Sequence, residues 1–348
     1  MLRVAEQYAG TDTGRQRRAN EDSLLARAPL FVVADGMGGA QAGEVASRIA
    51  VESFQPGLPE SSHPELELAA LARAANTRIH ELSHSNAEQA GMGTTIGDYN
   101  GDGRLDIFKT NFSDDTPVLY RNDGGGIFSD VTLAAGLGLH TQYLGWGTMF
   151  FDFDNDSWPD LILVNGHVYP EVDKFHLGSG YMEPRLLYHN NGNATFTDIS
   201  ATAGPGINAV SSARGLAVGD LWNDGQLSVV IVNVYAKPSL LVNTVHSGNH
   251  WVAFKTIGTR SNRDGIGAKI TVKVGKRTLV DEVRSGSSYI SQNDMRVHFG
   301  LGLAAKLDAV QVRWPSGLIE SFNNLPVDTI NILKEGSGNA VGGSPKKP

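Results

Sequence analysis

GDYNGDGRLDIF (residues 97–108), FDFDNDSWPDLIL (residues 151–163) and GDLWNDGQLSVVI (residues 219–231) decide how this chain folds. Each is an acidic turn that runs straight into an apolar, β-branched stretch. Their first aspartates, Asp98, Asp152 and Asp220, are 54 and 68 residues apart. A second pair of matching segments follows the first two loops: LYRNDGGGIFSDVTLAAGLG from Leu119 and LYHNNGNATFTDISATAGPG from Leu187, with Asp130/Asp198, Ala135/Ala203 and Gly136/Gly204 in register. One supersecondary unit used about three times is the signature of propeller blades.

Within the first loop Asp98, Asn100, Asp102 and Asp106 fall at positions 1, 3, 5 and 9, and Asp152, Asp154, Asp156 and Asp160 repeat that spacing. Four oxygen-bearing side chains in so short a turn repel one another by ~1 kcal/mol per charged pair at 4 Å even in water. A hard cation removes that cost, and calcium takes six to eight oxygens, one of which can be a backbone carbonyl at position 7, here Arg104. An EF-hand needs a glutamate at position 12, where this chain has Lys109 and Leu163. In the third loop Trp222 and Ser228 replace two candidate ligands and leave Asp220 and Asp224.

Composition agrees with a turn-rich chain. Of 348 residues 41 are glycine and none is cysteine, which excludes disulfides, zinc–thiolate sites and a cysteine nucleophile. Residues 1–95 carry net charge −4, residues 96–245 carry −10, and residues 246–348 carry +6. Nearly all the acids of the middle block are Asp, a loop residue, whereas a solvated helical face would use Glu. The basic residues of the last block alternate along strand-like runs without clustering, so nucleic-acid binding is not expected. No apolar run reaches the ~18 residues of a membrane span, and the opening stretch lacks the apolar core of a signal peptide.

The acidic loops and their flanks resemble the FG-GAP (VCBS-type) repeats of calcium-binding β-propellers. SNRDGIGAKITVKV, EVRSGSSYISQND, RVHFGLG and VRWPSG (within residues 261–317) resemble the ASPIC/UnbV domain. Together these resemblances cover residues 91–335. They imply Ca²⁺ as cofactor, an extracellular or periplasmic setting, and binding or adhesion to a protein or glycan. Three acidic loops fall short of the four blades a closed propeller needs.

The N-terminal block is different. TDTGRQRRANEDS, FVVADGMGGAQAGEVAS and GMGTT (within residues 11–95) resemble the opening of bacterial metal-dependent type-2C (PPM) Ser/Thr protein phosphatases. By that resemblance Asp35, the Gly36 carbonyl, Glu21 and Asp22 would surround Mn²⁺ or Mg²⁺, Arg17 would grip phosphate, and Arg17, Asp22 and Asp35 would be the catalytic set. The later aspartate motifs of that family do not follow, because GMGTT leads directly into the first acidic loop.

The expected fold is therefore mainly β: a partial FG-GAP propeller, then a small antiparallel β domain, preceded by an α+β half-domain of phosphatase type. The expected divisions are residues 1–95, 96–245 and 246–335, with a disordered tail at 336–348. Helices are expected at 42–54, and at 65–83 where Leu68, Leu71, Ala75, Ile79 and Leu82 form a stripe. His140, His167, His176, His189, His246 and His250 show no metal-ligand spacing and read as loop or core residues. The functional expectation is a calcium-binding adhesion-type module with an inactive phosphatase remnant. The alternatives are an active metal-dependent phosphatase and a fusion without function of its own.

Overall fold

Alternation of side chains across both faces explains the centre of the molecule. In the computed structural model, Phe150, Leu161 and Leu163 pack toward one neighbouring sheet, with Tyr99, Phe108, Leu119 and Phe196. Phe151, Ile162 and Val164 pack toward the other, with Leu216, Val218, Val229 and Ile231. A strand apolar on both faces has to sit between two sheets. The structure describes residue 10, residues 23–28, 30–34 and 42–57, scattered positions between 67 and 78, and residues 93–174 and 178–341.

The chain divides into two compact units, residues 1–90 and 91–348. In the first, β1 (Ser23–Arg27) and β2 (Leu30–Ala34) form an antiparallel hairpin. Helix α1 (Ala42–Phe54) follows as the sequence indicates, burying Ile49 and Val51. The described positions between 67 and 78 are helical. Phe31 and Val33 of β2 are exposed.

The second unit opens with a four-stranded meander: β3 (Thr94–Gly97), β4 (Asp106–Lys109), β5 (Val118–Gly124) and β6 (Ile127–Asp130). A second sheet holds β7 (Gly145–Phe151), β8 (Asp160–Asn165), β10 (Leu186–Asn190) and β11 (Phe196–Asp198), while β9 (Glu183–Pro184) leaves it to pair with β12 (Val210–Ser211). The third has three strands, β13 (Ala213–Gly219), β14 (Ser228–Asn233) and β15 (Ser239–Leu241). The inner strands β3, β7 and β13 lie side by side in a propeller-like arrangement. Gly147 makes that approach possible: a Cβ there would stand 2.8 Å from the Arg214 carbonyl oxygen.

The C-terminal strands are β16 (His250–Ile257), β17 (Lys269–Val274), β18 (Arg277–Glu282), β19 (Val297–Gly302), β20 (Ala309–Arg313), β21 (Ile319–Phe322), β22 (Ile330–Lys334) and β23 (Asn339–Ala340). They make two sheets, ordered β19-β16-β22 and β18-β17-β20-β21-β23, over a core of Val252, Phe254, Ile270, Val272, Val312 and Trp314. Pairing is antiparallel as expected except between β16 and β22, which run parallel. The tail also departs from expectation. Residues 336–341 are ordered: Glu320 accepts hydrogen bonds from the amides of Gly336 and Gly338, both at 2.9 Å, and β23 extends the sheet. Residues 342–348 lie outside the described residues.

The partial propeller does not stand with an open centre. The connection from β18 to β19 enters it and bonds to all three inner strands. Ser288 and Thr94 exchange backbone bonds at 2.9 and 3.3 Å, Thr148 donates its amide to Ser288 Oγ at 3.0 Å, and Val218 donates its amide to Asn293 Oδ1 at 2.8 Å. Among the described residues no helix is long and apolar enough to cross a membrane.

Candidate metal centre

The three acidic turns share one backbone frame. Asp98 accepts from the amides of Asp102 at 3.0 Å and Gly103 at 2.8 Å. Asp152 accepts from Asp156 at 3.0 Å and Ser157 at 2.8 Å, and Asp220 from Asp224 at 3.1 Å and Gly225 at 2.9 Å. All three carboxylates are buried. Positions 4 and 6 of every loop take left-handed φ: Gly101 and Gly103, Asn155 and Ser157, Asn223 and Gly225. Gly and Asn, which accept that region readily, fill five of these six positions and Ser157 is the exception, so GDG, NDS and NDG are three spellings of one turn.

Position 9 opens the strand that follows each loop. Asp106, fully buried, accepts from the amides of Tyr99 at 3.3 Å and Asn122 at 2.8 Å. Asp160, also fully buried, accepts from Phe153 at 3.2 Å and Asn190 at 2.8 Å. In the third loop the same place is Ser228, whose Oγ accepts from the amide of Asn243 at 3.3 Å. Asn122, Asn190 and Asn243 thus perform one task in three sheets.

The loops differ in their charged groups. In the second loop, ligand atoms of Asp152, Asp154 and Asp160 lie within 4.8 Å of one another, and so do those of Asp154, Asp156 and His189. Among the described residues no such group of three forms in the other two loops. In the first loop the Asp102 carboxylate is engaged by Arg104 Nη2 at 2.5 Å and Asn100 Nδ2 at 3.1 Å. In the third, Asp224 is exposed and accepts from the Gln226 amide at 3.0 Å.

Burial dominates the electrostatics. It pushes the carboxyl of Asp98 up to about 6, Asp106 up to about 7 and Asp160 up to about 6. Asp152 is raised well above the carboxylate range by burial and then by the charges of Asp160, Asp156 and Asp154. His189, which reads as an ordinary loop or core histidine in sequence, lies in this cluster: its Nδ1 is 3.0 Å from Asp160, a bond that lifts it to about 8. The donor set of oxygens with at most one imidazole suits a hard divalent ion.

The C-terminal strands reach the same loops. Lys269 Nζ is 3.5 Å from the Gly103 carbonyl oxygen, and Arg296 Nη2 donates to the Asp220 carbonyl at 2.7 Å. Arg277 bonds to Ser157 Oγ and its guanidinium lies 3.6 Å from the centre of the Trp158 ring. His298 Nε2 is 2.8 Å from Asn155 Oδ1. A cavity of about 130 Å³ between these elements is lined by Asp98, Asp152 and Asp220 on one side and by Arg277, Arg296 and His298 on the other. Two further histidines pair with acids elsewhere: His140 with Asp198 at 2.6 Å, and His250 with Asp328 at 2.7 Å. Arg17, Glu21, Asp22, Asp35, Gly36 and His176 lie outside the described residues.

Comparison with known proteins finds three segments in order. Residues 9–100 match the family Protein phosphatase 2C, residues 98–163 the FG-GAP-like repeat, and residues 258–340 ASPIC and UnbV. The N-terminal part is 39% identical over 95 residues to the serine/threonine protein phosphatase PstP of Mycobacterium tuberculosis, covering 27% of this chain and 18% of that protein. A 247-residue match to cartilage acidic protein 1 of Xenopus tropicalis is 26% identical, covering 66% of this chain and 34% of that one. A crystal structure of the mycobacterial phosphatase aligns with 27% identity and a TM-score of 0.22 over 35% of this chain and 51% of its own. The chain thus spans well under half of either curated relative, and it is composite: a phosphatase-2C-like segment joined to FG-GAP and ASPIC/UnbV segments.

Proposed function

We propose that the FG-GAP and ASPIC/UnbV part of the chain is a calcium-loaded binding module. The carrying observation is the second loop, where three carboxylates converge within 4.8 Å around a turn of calcium-loop spacing. Asp152, Asp154, Asp156 and Asp160 would hold one ion, with the Trp158 carbonyl at position 7. Asp98, Asn100, Asp102, Asp106 and the Arg104 carbonyl would hold a second, once Asp102 leaves Arg104. The third loop keeps its frame but only Asp220 and Asp224 of its donors, too few to match the others. The ion neutralises charge and fixes the loops; it supplies no reaction. The partner is a protein or glycan surface.

The test is thermal unfolding of the full chain in EDTA and then in millimolar Ca²⁺. A ligand bound by the folded state alone raises stability by about 2.7 kcal/mol at a hundredfold excess over its Kd. An unchanged midpoint would remove calcium from the reading.

The phosphatase-like segment favours a second reading, since 39% identity over 95 residues to a serine/threonine phosphatase is specific. A type-2C site needs two metal ions to stabilise attacking and leaving oxygens. This chain passes from the segment into an acidic propeller loop, so we propose that the segment is without turnover. Manganese-dependent hydrolysis of p-nitrophenyl phosphate that disappears in Asp35→Ala would reverse that assignment.

A further inference from the structure

We propose that Arg277 is the resident counter-charge of the two intact acidic loops, so that docking of the C-terminal sheet and loading of the loops with a divalent cation compete for the same carboxylates. The proposal rests on the reading of those loops as cation sites.

Arg277 opens β18 in the C-terminal region, yet its head group lies among propeller loops. It bonds to Ser157 Oγ, position 6 of the second loop, and covers the ring of Trp158 at position 7. A Cβ on Gly101 of the first loop would stand 3.0 Å from the Trp158 ring and 3.8 Å from Arg277 Nη2. One guanidinium therefore reaches both loops. Its neighbours Arg284 and Arg296 have acids of their own, Asp281 and Asp294. Arg277 lines one cavity with Asp98 and Asp152; burial is the largest influence on its guanidinium and lowers its pKa, and the charges that oppose burial are Asp156, Asp152 and Asp98, each in a loop that reads as a cation site.

A fixed positive charge and a divalent ion beside the same carboxylates repel each other, while each alone relieves the carboxylates' mutual repulsion. Removing the guanidinium should make the metal-free chain less stable and the metal tighter. The cation–π contact adds a packing contribution that a charge argument alone would miss. Arg277→Lys separates the two, because lysine keeps the charge and loses the planar stack.

The experiment is calorimetric Ca²⁺ titration of the full chain as wild type, Arg277→Met and Arg277→Lys, with metal-free unfolding midpoints beside it. The expectation is roughly three- to tenfold tighter calcium in Arg277→Met, near wild-type affinity in Arg277→Lys, and a lower metal-free midpoint in Arg277→Met. Equal or weaker calcium binding in Arg277→Met overturns the proposal. If wild type takes up no calcium, the cation reading itself fails, and the counter-charge is judged on metal-free protein alone. A midpoint deficit in Arg277→Met that Arg277→Lys does not share upholds a charge role, and one that both variants share refutes it.

Discussion

Glu335 and Asp160 are both carboxylates removed from water, and they titrate in opposite directions. Glu335, 2% exposed, accepts from the amides of Thr259, Arg260 and Ser261 at 2.7, 2.7 and 2.8 Å and from the hydroxyls of Ser261 and Ser316 at 3.0 and 2.5 Å. Burial alone would raise it, but those donors hold it at about 2. Asp160 has two amides and His189, and burial carries it up to about 6. Asp106 has only two amides and rises to about 7. The difference lies in depth as well as in donors: burial weighs far less on Glu335 than on Asp160, and Glu335 has more donors to offset it. The C-terminal region completes its buried acid with five of the chain's own N–H and O–H groups, whereas the loops supply two or three to each of theirs.

The largest test of that contrast is Asp152→Ala. It strands the amides of Asp156 and Ser157 and removes a proposed ligand, so in saturating calcium it should cost about 4 kcal/mol. In EDTA the loss should be smaller, and titration should show one calcium fewer. An equal loss in both conditions would mean that the loop is only a turn.

Glu335→Gln comes next, at roughly 2 kcal/mol near neutral pH after allowance for solvent screening. The Glu335 pKa is depressed in the folded state, so its contribution is complete above the ordinary carboxylate value of 4.5 and is lost as pH falls toward about 2. Wild type and variant should therefore converge in denaturant titrations carried down through that window and not depend on calcium. A calcium-dependent difference would collapse the contrast between the two regions.

A smaller gain is expected from Trp222→Asp with Ser228→Asp, which restores the missing donors on the third frame. Stoichiometry should rise from two to three, with a calcium-linked gain of about 1–2 kcal/mol. No third site would show that frame and donors are insufficient. Smallest is Asp224→Asn, exposed and short of partners, expected to change stability by less than about 0.5 kcal/mol and to leave stoichiometry alone. A lost calcium would promote the third loop to a metal site.

The repeated frame was legible because local geometry is written locally: Asp at position 1, Gly or Asn at position 4 and in two loops Gly at 6, and an apolar run beginning at 10. The strands of the second unit were legible for the same reason. What escaped is what depends on distant chain. His189 meets Asp160 from 29 residues away, and no periodicity marks it. Strand β22 adds to β16 in parallel, a pairing that needs no turn signal between them. The tail has the composition of a disordered segment, but Glu320 offers acceptors to Gly336 and Gly338 and so fixes it to 341. The charge asymmetry was visible, while its meaning, basic strands laid against acidic loops, required the fold.

The β18–β19 connection between the inner strands has a consequence for synthesis. Thr148 of the second sheet waits for Ser288, 140 residues downstream, to satisfy its amide. A ribosome adding roughly 5–20 residues each second exposes the inner faces of three sheets for several seconds before that segment emerges. Long-range closure of this kind makes maturation slow and leaves unpaired backbone as a template for other chains.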